Sequence, residues 1–269
     1  MSHLKKRRVA PGRPPPFLVV LACLGLVVFV VPLAGLLARV PWSQMPRILA
    51  SDVVGDALRL SLVASLSATA IALVLGVPLA WVLARVEFPG RSVVRGLITL
   101  PLVLPPVVGG AALLFALGRR GLVGEPLGEL TGLLLPFSTW GVVVATTFVA
   151  MPFLVITVEG ALRNMDRRFE GAAETLGASR WTVMRRVTLP MIAPSLIAGL
   201  VLTWARAFGE FGATVTFAGN LQGRTQTLPL AVFVALESER DTAVAISLVM
   251  VVISLAVLIA LRDRWWRAL

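Results

Sequence analysis

LRNMDRRFEGAAETLGASRWTVMRRVTLP, residues 162–190, is the only long polar interval in the second half of an otherwise membrane-like chain. Leu162, Met165, Phe169, Ala173 and Leu176 recur at steps of three and four, which puts them on one face of an amphipathic helix, while Arg163, Arg167, Glu170 and Glu174 share the other. Asp166 or Asn164 can cap its start. Gly177 can adopt the left-handed conformation that ends a helix. Ser179 can cap a second short helix carrying Trp181, Met184 and Val187, which Pro190 is expected to close. The expected product is a compact, protruding elbow of two short helices joined at a glycine. On periodicity alone, a solvated loop with some helix in it fits equally well.

The rest of the chain sets the elbow in a membrane. Of the 269 residues 57% are hydrophobic and 14% charged, which excludes an ordinary soluble domain. Apolar runs cover residues 17–37, 57–84, 93–117, 140–158, 192–217 and 243–261, each near or above the ~20 residues that cross the hydrocarbon core. The fold class expected is therefore all-α, a polytopic membrane protein of six transmembrane helices. Residues 1–16, with Lys5, Lys6, Arg7, Arg8 and Arg13, read as a basic cytoplasmic tail rather than part of a cleaved leader. Residues 17–269 read as one six-span domain with a cytoplasmic loop at about 160–190.

Basic residues fall in blocks between the runs, so the net charge of +11 reflects topology and not nucleic-acid binding. With the amino terminus inside, Arg85, Arg91, the six arginines of the elbow loop, and Arg262, Arg264 and Arg267 all lie in the cytoplasm. Only a scattering, Arg39, Arg47, Arg119, Arg120, Arg224 and Arg240, lies outside. Both termini and the elbow then share the compartment that contains ATP. A Walker A loop needs a lysine to reach the phosphates, and the only lysines are Lys5 and Lys6, so ATP hydrolysis must come from a partner. Cys23 is unaccompanied, the one histidine is His3, and the acidic residues show no metal-like spacing, which argues against a membrane enzyme, a metal site or a bound cofactor.

Two intramembrane stretches carry the remaining chemistry. PLVLPPVVGG, residues 101–110, sets Pro101, Pro105 and Pro106 beside Gly109 and Gly110, so the third span should be kinked or unwound. Exposed backbone at that depth either packs in protein or lines a watery path. GRRGLVGE, residues 118–125, then places Arg119 and Arg120 at the outer mouth, as a lure for an oxyanion or as plain surface charge. In the fifth span Arg206 and Glu210 are four apart and intramembrane. They form either a salt bridge that fixes packing or a gate in which Arg206 attracts an oxyanion and Glu210 limits its stay. Gly219, Asn220 and Gly223 should turn the chain at the outer surface. Glu237, Glu239, Arg240 and Asp241 read as solvated.

Ala172, Ala173, Gly177, Leu189 and Pro190, with Val187 in the isoleucine place, resemble the EAA loop of ABC importer permeases, E-A-A-x3-G-x9-I-x-L-P. The signature's glutamate falls on Gly171, with Glu170 one residue earlier. One residue is roughly 100° of helix, which leaves open whether Glu170 makes the family's glutamate contact. PLVLPPVVGG, GRRGLVGE, RVEFPGR at 85–91, GEFGAT at 209–214 and GNLQGRTQTLPL at 219–230 resemble more specifically the permease subunit of molybdate ABC transporters. Related forms occur in sulfate permeases.

The resemblance implies a homodimer around a central path for molybdate or tungstate. It implies two cytoplasmic ABC ATPase subunits clamping the elbows, and a substrate-binding protein docking outside, on a surface that includes Asn220 and Arg224. The chain itself would do no catalysis. Sulfate or thiosulfate import is the alternative within the class, and a polytopic membrane enzyme is the remote one.

Overall fold

The structure is a computed structural model that describes residues 15–265; the expected basic tail, apart from Pro15 and Pro16, lies outside the described residues, as does Arg267. Helix α1, Pro16–Ala38, starts at a proline, whose missing N–H costs nothing in a first turn. It is apolar all round and buries none of its residues, as a helix solvated by lipid should. A short helix α2, Met45–Leu49, follows. Helix α3, Asp52–Ile71, then runs through a π turn, Ala72–Gly76, into α4, Val77–Arg85, as one rod of 34 residues.

The packing follows from small residues. Ala57, Ser61, Ala64, Ser65 and Ala68 form a buried stripe on α3 at steps of three, four and one. Between helices in lipid no hydrophobic gain is available, so close van der Waals approach must supply the attraction, and a small-residue stripe permits it. The stripe faces α8, Thr139–Asn164, and α11, Leu189–Phe208. Helix α8 is the central post: Ser138 caps it by accepting from the Gly141 N–H at 3.1 Å, and α3, α4, α11 and the short helix α12, Gly212–Phe217, all pack on it. At its elbow end Leu154, Val155, Val158 and Leu162 form a core with Leu83 and Ile192.

The third span is broken as its prolines require. Helix α5, Arg91–Thr99, and a 3-10 turn, Leu100–Leu102, form an inner arm; α6, Pro106–Leu117, leaves it at 117°. Surface helix α7, Gly124–Thr131, follows. The elbow contains α9, Arg168–Thr175, and α10, Arg180–Val183. Beyond α11 come α12, Gly212–Phe217, α13, Leu228–Ser238, and α14, Arg240–Trp265. Among the described residues five helices are long and apolar enough to cross a membrane, and the bent pair makes a sixth crossing if it counts as one span. The described residues form an all-helical, multi-pass membrane bundle without strands.

Four expectations are corrected. Leu162 belongs to α8, and the elbow helix begins only at Arg168, because the chain turns extended at Met165. Pro190 closes nothing: α10 continues through a π turn, Met184–Thr188, into α11, so that residues 180–208 form one helix. The widened turn lies just ahead of the proline ring, which an α turn would press against a carbonyl. The fifth span does not reach residue 217 as a single helix; it stops at Phe208, and α12 follows a break at residues 209–211. Residues 228–238 are helical where only a turn and outer loop were expected.

Candidate functional site

The elbow is built by local rules. Asp166 Oδ1 accepts from the Arg168 N–H at 2.9 Å and so caps α9, a role Asn164 does not take. Gly177 sits at φ +82°, where a β-carbon would strain the backbone, and Ala178 N–H closes the helix end onto the Ala173 carbonyl. Ser179 Oγ accepts from the Thr182 N–H at 3.3 Å and opens α10. Around this turn the apolar side chains face outward: Leu176 is 88% exposed, Trp181 71% and Phe169 57%. Of the amphipathic face read from the sequence, Phe169 and Leu176 are bare in the single chain, whereas Leu162 is buried in the core and Met165 packs against it. Ala172 is exposed and Ala173 half-buried beside it.

Glu170 points the other way. Its carboxylate pairs with the Arg85 guanidinium at 3.1 Å, at the end of α4, and accepts from the Thr188 hydroxyl at 2.6 Å. Both charged side chains are largely buried, so the pair pins α9 to the second span and to the π turn below Leu189. Gly171, by contrast, is exposed, and a β-carbon there would meet nothing within 4 Å. A glutamate at 171 would project into open space; Glu170 is used internally. A cleft of about 620 Å³ at the opposite end of the molecule has Arg47, Arg240 and Asp241 in its lining, and one of about 550 Å³ beside the elbow has Arg85, Arg167, Arg180 and Glu174 in its own.

The pathway candidates meet at two adjoining breaks. Pro105 precedes α6 and Pro106 is its first residue, both exposed in the single chain. The break between α11 and α12 lies against them. A β-carbon on Gly212 would come within 2.7 Å of Pro106 Cβ, and one on Gly110 within 2.7 Å of Thr216 Cβ, so α6 and α12 run parallel in glycine-permitted contact. Arg206 Nη1 and Glu210 Oε2 are 2.5 Å apart, a charge pair rather than an aligned hydrogen bond. The other oxygen of Glu210 accepts from the Ala213 N–H at 2.8 Å. Glu210 therefore ties the end of α11 to the start of α12. Its side chain is 1% exposed, while that of Arg206 is 29% exposed.

At the end opposite the elbow, Arg119 and Arg120 project from a tight turn whose Gly118 and Gly124 press on the last turn of α6. Gly219 and Gly223 adopt positive φ, as the turn requires, and Asn220 and Arg224 are exposed between and beside them. The Thr139 hydroxyl donates to the Arg224 carbonyl at 3.0 Å, which fixes this loop to the start of α8.

Sequence reasoning missed one cluster. Arg95, on α5, grips Glu159 of α8 with Nε at 3.0 Å from one carboxylate oxygen and 3.3 Å from the other. Nη2 adds a contact of 2.5 Å. Arg163 reaches the same carboxylate at 3.0 Å. The available signal was Arg95 itself, an ionisable residue inside an apolar run. Among the described residues no group of acidic, histidine and cysteine side chains could hold a metal.

The chain is 46% identical over 245 residues to the molybdenum transport system permease protein ModB of Mycobacterium tuberculosis, covering 90% of this chain and 92% of that one. Its identity to ModB of Escherichia coli is 40% over 215 residues, 80% and 94% of the two chains. The sulfate transport system permease protein CysT of Escherichia coli is 34% identical over 264 residues, 97% and 95%. A bacterial alginate ABC transporter, solved in complex with an alginate pentasaccharide-bound periplasmic protein, shares the fold at a TM-score of 0.73 and 18% identity, over 90% of this chain and 92% of its own. Residues 72–269 match the family described as binding-protein-dependent transport system inner membrane component, and the chain belongs to that family.

Proposed function

We propose that this chain is the permease subunit of an ATP-driven importer of molybdate, with tungstate as its close chemical analogue. The observation that carries the reading is the 46% identity to a molybdenum permease over 90% of the chain, against 34% for a sulfate permease. Two copies would enclose a path between their bent third spans, which expose Val103, Pro105, Pro106 and Val107 in the single chain. A cytoplasmic ATPase would receive each elbow on the apolar tip formed by Phe169, Leu176 and Trp181. Both termini and the elbow would be cytoplasmic.

A loaded binding protein would dock at the opposite end, around Arg119, Arg120, Asn220 and Arg224. Closure of the ATPases would then swing the elbows, and with them the α8 posts and the breaks, between inward-facing and outward-facing states. Arg206 would offer a positive charge to the passing dianion, and Glu210, already committed to α12, would keep that charge from becoming a trap.

The test is uptake of labelled molybdate by cells lacking their own high-affinity system and expressing this chain with its cognate ATPase and binding protein. Uptake blocked by tungstate and not by sulfate is the expected result. Uptake abolished by sulfate, or appearing only for labelled sulfate, would move the substrate to sulfate or thiosulfate and overturn the molybdate assignment.

A further inference from the structure

The inner arm of the third span presents a mechanical problem. Helix α5 buries none of its residues. Only Val94 and Ile98 rest half-buried on the core of α4 and α8, and the arm ends at a proline break that transmits little stiffness. Arg95 supplies what apolar contact does not. Its Nε and Nη2 converge on one oxygen of Glu159, a residue 5% exposed, and Nε also reaches the other oxygen at 3.3 Å. Hydrogen bonds between a guanidinium and a carboxylate are charge-assisted and roughly twice as strong as neutral ones, and the planar donors fix their direction.

Arg163, one helical turn further along α8, holds the same carboxylate and stands just ahead of the elbow. A second clamp, from Arg91 to the Leu83 carbonyl, fixes the start of the arm to α4. Releasing Arg95 would leave a buried carboxylate short of one partner, so the pairing resists opening.

We propose that Arg95, Glu159 and Arg163 make the inner arm and the elbow-bearing end of α8 move as one body, with Glu159 the positioning residue through which elbow movement reaches the break in the third span. The proposal rests on the reading of the chain as an ATP-driven permease. It differs from a mere packing role because the three charges connect two regions that must change together: the elbow and the arm that approaches the path.

The experiment uses the full transporter, this chain with its ATPase and binding protein, in proteoliposomes. Molybdate imported and ATP hydrolysed are measured together. Arg95→Gln and Glu159→Gln should assemble and hydrolyse ATP, yet import about tenfold less molybdate per ATP, a loss in the usual range of a coupling free energy, and lose stimulation by the binding protein. Exchange of all three charges, Arg95→Glu with Glu159→Arg and Arg163→Glu, should restore much of the ratio.

Should a neutral variant fail to accumulate in the membrane, Arg95→Lys carries the same measurement, since it keeps the charge and loses the pair of planar donors; an intermediate ratio is expected. An unchanged import-to-hydrolysis ratio in the assembled variants would overturn the clamp. Failure of the unaltered transporter to import molybdate, with hydrolysis still stimulated by a binding protein loaded with another anion, would overturn the substrate reading alone. The clamp would then be measured with that anion.

Discussion

Replacing Arg206 with alanine separates the two roles open to the Arg206 and Glu210 pair. The carboxylate of Glu210 is 1% exposed and lies 2.5 Å from Arg206, so the substitution strands a buried charge. Breaking such a pair costs about 3–5 kcal/mol, and the lower end applies here because Ala213 N–H still holds one oxygen and Arg206 is partly open to solvent. For a domain of this size about 3 kcal/mol lowers the melting midpoint by roughly 6–12 °C.

The assay is thermal unfolding in detergent, followed by uptake in cells. The paired variant Arg206→Met with Glu210→Leu removes both charges and should recover most of the midpoint, less about 1 kcal/mol for the lost bond to Ala213. If the pair only fixes packing, uptake recovers with stability. If Arg206 serves the dianion, the doubly neutral protein is stable and transports poorly. A midpoint for Arg206→Ala equal to that of the unaltered protein would refute the account of a buried, uncompensated charge.

Three further substitutions test the local geometry. Gly177→Val places a β-branched residue at φ +82° and should cost about 1–2 kcal/mol locally; uptake should fall sharply while the purified bundle still melts cooperatively, and normal uptake at normal expression would contradict the elbow's role. Gly171→Glu enters open space on an exposed helix and removes a helix-interior glycine, so the midpoint should rise, by at most about 1 kcal/mol in free energy, with transport retained; a fall in stability would refute the placement of Gly171. Gly212→Ala drives a methyl to within 2.7 Å of Pro106 Cβ and should destabilise by about 1–3 kcal/mol, read as a lowered midpoint, unless α6 and α12 are not in contact.

What the sequence made legible was what single residues enforce. The proline cluster forecast the break in the third span, and the positive-φ turn at Gly177 and the cap at Ser179 were readable because each serves a local backbone need. Long apolar runs located the crossings. Hydropathy could not see the break after Phe208, since apolar residues flank the turn at 209–211 on both sides and the Glu210 carboxylate that shapes it reaches forward to the Ala213 N–H. Periodicity joined Leu162 to Phe169 because a three-to-four spacing survives across a bend it cannot detect. Pro190 was misread because the π turn that accommodates it has no signature of its own. The Arg95–Glu159 clamp lay beyond reach as a pair: its partners are 64 positions apart, and only the cost of an arginine in an apolar run pointed to one of them.

The π turn at Met184–Thr188 has a consequence for how the elbow is aimed. Such a turn holds one residue more than the α spiral would, and one residue is about 100° of rotation. The direction in which Trp181 and its neighbours face, relative to the rod that carries them, is thus set by counting. Removing one residue would either close the turn as α spiral, pressing the Pro190 ring on a carbonyl, or turn the elbow about its rod, so this segment should tolerate substitution far better than a change of length.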